Sequence, residues 1–105
     1  MLRVSFDDES YDLDVPSALI RDAEELYSKM DADMDHGWQL SRQWVDNPDV
    51  FERCQIVADK ILTAFHEQNE ELVLLFGGYI LSRLPQAKNI IIDTTGDITQ
   101  TDIQG

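Results

Sequence analysis

The sequence predicts an α+β domain: a small antiparallel sheet, made of an N-terminal β-hairpin and a C-terminal strand, packed on three helices in the order β-β-α-α-α-β. Three observations predict it. Apolar and polar residues alternate near the N-terminus, the middle of the chain carries a helical period, and Pro16, Pro48 and Pro85 fall where one pattern yields to the next. At 105 residues the chain suits one domain with a core of its own, 1–105.

Residues 2–15 read as the hairpin. Leu2, Val4 and Phe6 alternate with Arg3 and Ser5, and Tyr11, Leu13 and Val15 alternate with Asp12 and Asp14. The polar run Asp7–Ser10 connects them without an Asn-Gly or Asp-Gly turn pair. Pro16 stops the second strand, and Ser17 offers an N-cap hydroxyl.

From Ser17 the period changes. At 100° per residue, Leu19, Ile20, Ala23, Leu26, Tyr27, Met30, Met34, Trp38, Trp44 and Val45 fall on one stripe, with Leu40 and Ala32 off it. One phase held this long predicts a single helix over 17–45, with Gly37 as the place for a kink; a break at Asp35-His36-Gly37 is the rival. Asp46-Asn47-Pro48-Asp49 stops that helix and starts the next, 48–67, with Asn47 as cap. Its wide apolar face carries Val50, Phe51, Cys54, Val57, Ile61 and Phe65. A third helix, 70–84, is apolar nearly all round, as a central buried helix is, with Gly78 and Ser82 on a strip where another element can approach closely. Pro85 ends it. Three isoleucines make a strand of 89–93, and 97–105 reads as a weak strand or tail.

Charge bounds the function. Twenty-one acids against eight Lys and Arg give a net charge of −13, which opposes direct binding to nucleic acid or to an anionic membrane. No apolar run is long enough to span a bilayer, and Met1-Leu2-Arg3-Val4-Ser5 lacks the layout of a secretory signal. A lone cysteine excludes an intramolecular disulfide and points to the cytoplasm.

No motif for chemistry is complete. Asp31-Ala32-Asp33-Met34-Asp35-His36-Gly37 opens like a calcium loop, but His36 stands where glycine is required and Arg42 where a bidentate glutamate is required. His36 and His66 are the only imidazoles, neither in a repeated ligand pair, so no metal is expected. Cys54 lies at the centre of an apolar arc, and no serine has a nucleophile-elbow context. No catalytic residue or cofactor is assigned, and the balance leans away from an enzyme.

The acids favour a surface role. Residues 1–50 carry 13 acids and 4 bases, and along the first helix acids border the apolar stripe. A helix over 17–45 would run about 43 Å, longer than the two that follow. Its uncovered edge would present Met30, Met34, Trp38 and Trp44, rimmed by Asp31 and Asp35. The expected function is therefore a non-catalytic protein–protein interaction module, binding a protein partner or forming a homodimer. Two alternatives stand beside it. One is a small enzyme or ligand-binding domain with Tyr79 and His66 in a pocket near the third helix. The other is an acidic mimic of nucleic acid, although the helix acids are about half as dense as duplex phosphates.

Overall fold

The computed structural model describes Met1–Gly105 and is α+β, with four helices, a four-stranded mixed sheet and a separate two-stranded hairpin. Strand β1 (Leu2–Phe6) turns into β2 (Glu9–Leu13) with Leu2 opposite Leu13 and Val4 opposite Tyr11. The alternation seen in the sequence thus puts Leu2, Val4, Tyr11 and Leu13 on one face, while the turn sets the register, two residues from the one a connection over Asp7–Ser10 would give. The turn is tighter than the polar run suggests: only Asp7 and Asp8 lie between the strands, both at positive φ (52° and 62°), as a type I′ connection requires. Aspartate tolerates that region at a cost glycine does not bear. Asp8→Gly is expected to raise stability by about 0.5–1 kcal/mol, read as a higher urea midpoint at unchanged slope.

The single helix over 17–45 does not form. Helix α1 (Ser17–Asp22) is followed, after Ala23, by α2 (Glu24–Asp35), and the chain then makes a hairpin of β3 (Trp38–Leu40) and β4 (Gln43–Val45). The break falls at Gly37, whose φ of 99° lies outside the helical region. A Cβ there would stand 2.6 Å from the Trp44 ring, so only glycine lets that indole fold back over the helix end. The first helix has Pro16 rather than Ser17 at its cap, with no side-chain bond.

Helices α3 (Val50–His66) and α4 (Glu70–Arg83) stand close to the sequence expectation. Their caps are Asp49, in a reciprocal capping box with Glu52, and Asn69, which accepts from the Leu72 amide. Asn47 does not cap; it sits at positive φ and accepts from Arg53. Tyr27 reaches Leu75 and Asp31 reaches Tyr79 at one constant offset of 48 residues, so α2 runs alongside α4 in the same direction.

After α4 the chain enters β5 (Asn89–Ile91), then a 3-10 turn at Ile98–Gln100 and β6 (Asp102–Gln104). The sheet order is β2-β1-β5-β6, and β5 lies parallel to β1. The expected all-antiparallel sheet is therefore corrected. Strand β2 already brings the chain back to the end where β1 starts, and the helices carry it from there past β1 to enter β5 at the same end, where the Arg3 amide donates to the Lys88 carbonyl at 2.9 Å. The C-terminus is strand rather than loose tail: β6 pairs with β5, and the Gln55 side chain holds the preceding turn through the Thr101 carbonyl at 2.8 Å. Leu2, Val4, Leu13, Ile90 and Ile92 share one buried cluster with Tyr27, Val57, Ile61, Val73, Tyr79 and Ile80. Ile91, pointing the other way, is exposed.

Candidate functional site

Two places on this frame gather polar and apolar groups in a way that demands explanation. The first is centred on Asp31. Its carboxylate accepts from the Tyr79 hydroxyl at 2.5 Å, from Arg83 Nη2 at 2.7 Å and Nε at 3.1 Å, and from Arg53 Nη1 at 3.4 Å. Arg53 also donates to the Asp31 and Pro48 carbonyls, to Asn47 and to Asp35 at 2.6 Å. Arg83 adds Glu24 and Ser82 and lies 5.1 Å from the Tyr79 ring centroid. A cleft of about 320 Å³ opens over the cluster between Asp49 and Arg53.

Burial alone would raise the Asp31 carboxyl, but the bonds from Tyr79, Arg83 and Arg53 and the Arg83 charge outweigh it and hold the group below its ordinary range. Burial, then the bond to Asp31, pushes the Tyr79 hydroxyl far up, so it stays a donor. Every Arg53 nitrogen already has protein partners. Two guanidinium groups face three carboxylates, Asp31, Asp35 and Glu24, leaving no cationic surplus for an anionic ligand. The cluster clamps α2 onto α3 and α4.

The second place lies at the free edge of the sheet. Strand β2 has β1 on one side and no strand on the other. Beside that edge an open groove of about 760 Å³ runs between β2 and the α3–α4 junction, floored by Tyr11, Leu13, Ala64, Phe65, Val73 and Leu74. Phe6, Tyr11 and Phe65 form an aromatic cluster with ring centroids 4.8–5.5 Å apart. Asp12, Asp14 and Glu70 line the groove, and the neighbouring segments add Asp7, Asp8, Glu9, Glu67 and Glu71 with no Lys or Arg among residues 7–14 or 66–71.

The residues singled out from the sequence are dispersed. Met34 is 2% exposed and part of the core, and Met30 packs against it. Trp38 is half-buried, with Lys60 Nζ 5.1 Å from its ring centroid. Trp44 is 57% exposed, lies over Gly37 and donates to Asp46 at 2.8 Å. Asp31 and Asp35 meet through Arg53 instead of rimming an apolar stripe. Tyr79 is fully buried, whereas His66 is exposed at the far end of α3, about 20 Å along the helix from Arg53. Tyr79 and His66 therefore do not share a pocket. No three His, Cys, Asp or Glu side chains converge as metal ligands, and no helix is long and apolar enough to cross a membrane.

Arg53 and Arg83 were legible in principle, because each falls at helical spacing among apolar residues: Val50, Arg53, Cys54, Val57 and Tyr79, Ile80, Arg83. A cation on such a face signals a partner across the core. The groove had no such signal, since it exists only once the strand order is known. Comparison with family models, curated proteins and solved structures finds no match.

Proposed function

We propose that the protein is a non-catalytic binding module whose docking face is the acidic groove beside β2, and that its partner is another protein carrying basic and apolar side chains. The observation that carries this reading is a groove with an apolar floor, next to an unpaired sheet edge, whose charged lining residues, Asp12, Asp14 and Glu70, are all acids. The half-buried Tyr11, Phe65 and Leu74 form the accessible part of that floor, and charge of one sign around them supplies a steering rim. A buried Cys54 thiol, raised to about 12 by burial, suits a cytoplasmic protein with no disulfide to form.

The mimic alternative loses support because Asp31 and Asp35, two of the helix acids it needs, are tied to Arg53. Self-association through Met30, Met34, Trp38 and Trp44 loses its continuous stripe because the chain breaks at Gly37. A small ligand is the second reading, since the groove volume lies in the range of such sites.

Selection from a random peptide display library on the immobilised protein tests the proposal. Peptides rich in lysine, arginine and apolar residues are expected, with affinity that weakens as salt rises. Leu74→Glu, which places a charge in the groove, is expected to weaken them at least about tenfold while leaving the melting temperature near that of the wild type. Selected peptides that bind Leu74→Glu equally well, or selection of none, would contradict it.

A further inference from the structure

We infer that the partner presents an extended segment of alternating apolar and basic residues, which adds to the free edge of β2 as a fifth strand. This rests on reading the groove as a protein-binding face, and it names how the face is used.

The backbone directions follow from the register. The Arg3 amide donates to Lys88 and the Ser5 carbonyl accepts from Ile92, so Arg3 and Ser5 aim their main-chain groups at β5. Leu2, Val4 and Phe6 then face β2, where their partners are Leu13, Tyr11 and Glu9. By alternation, Ser10 and Asp12 aim their N–H and C=O groups away from β1, at the open edge. These four groups have no strand to pair with.

An added strand would lie about 4.8 Å beyond β2, above the groove. Its inward residues would share a face with Tyr11 and Leu13 and cover Phe65 and Leu74. Its outward residues would stand beside Asp12, whose carboxylate is half exposed and held only by Arg3 at 3.0 Å. Opposite charges at such cross-strand positions attract and like charges repel. A second copy pairing edge to edge would bring Glu9, Asp12 and Asp14 against the same acids, so the rim excludes self-pairing and selects a basic guest.

The probe is a synthetic peptide of about seven alternating valines and lysines, with a companion series carrying one backbone N-methyl group at each position in turn. N-methylation removes a single N–H donor without changing charge. The expected result is a two-residue period, in which every second N-methyl group weakens binding about tenfold or more and the intervening ones change it little. Amide exchange at Ser10 and Asp12 should slow on binding, while Tyr11 and Leu13, already paired with β1, should not change. If the peptide binds but the scan is flat or shows a three-to-four-residue period, strand addition is overturned. It is overturned equally if library-selected peptides occupy the groove and the alternating probe does not. The groove itself survives both outcomes and is tested separately, by the library selection and Leu74→Glu.

Discussion

Asp31→Asn is expected to lower the unfolding free energy by about 3 kcal/mol, enough to remove a large share of the stability of a domain this size. Asparagine keeps the shape and can still accept from Tyr79, but it leaves Arg53 and Arg83 largely buried with their shared charge gone. The side chains of Arg53, Arg83 and Asp31 are only 11%, 19% and 26% exposed, so solvent replaces little of what is lost. The value stands at the low end for a broken buried pair because Asp35 and Glu24 still hold one contact each.

The effect depends on pH in a defined direction. The folded state holds the Asp31 carboxyl below its ordinary value of 3.8, so its contribution is complete above that value. It disappears as pH falls through the lower folded value, where both states take up the proton. The difference between wild type and Asp31→Asn should therefore shrink as urea unfolding is repeated from neutral pH down to about 2. Asp93, held by Thr95, and Asp97, held by Thr99, are also lowered, so both proteins retain a common acid-dependent loss. An equal difference at neutral and acid pH would show that the charge on Asp31 is not what binds α2.

Gly78→Ala carries the second large effect, with a sign opposite to the usual one. In an exposed helix this change stabilises by about 1 kcal/mol. Here the new methyl would fall inside van der Waals reach of the Tyr27 hydroxyl and 3.3 Å from Ile20. Tyr27 is fully buried and donates to the Leu75 carbonyl at 2.6 Å, so its ring has no room to retreat. Overpacking and loss of that bond together predict a cost of about 3 kcal/mol. Removing the colliding oxygen should restore much of it, so Tyr27→Phe with Gly78→Ala should be more stable than the two single effects added together. Strict additivity in urea melts would mean that α2 does not approach α4 at Gly78.

Those two sites show what the sequence could and could not disclose. The strip of Gly78 and Ser82 announces a close approach, and the structure supplies Tyr27 as what approaches. The facing of the hairpin residues follows from alternation, and the near spans of α3 and α4 from the helical period and Pro85. The isoleucine strand forms over Asn89–Ile91 only, short of the expected 89–93. The long first helix misled because Trp38, Trp44 and Val45 fit a period of 3.6 while lying in two three-residue strands. Over so few residues the two periods are hard to separate. Leu40 carried the correct signal: it sits off the helical stripe, yet it is 1% exposed, because in β3 it points inward two residues after Trp38. Asp31 and Tyr79 were both marked, but for separate surfaces; only the packing of α2 along α4 makes them partners. The groove depends on which strand lies at the edge, and that is a property of chain topology rather than of any local pattern.

The most direct test of the binding face is a nitrogen–proton chemical-shift titration of the protein with a library-selected basic peptide. The shifts are expected to concentrate on Ser10–Asp14 and on Phe65–Leu74, with Trp38, Trp44 and the Asp31 cleft unmoved. Shifts centred on Trp44 and the start of α3, or on Asp31 and Tyr79, with β2 silent, would contradict a docking face beside β2.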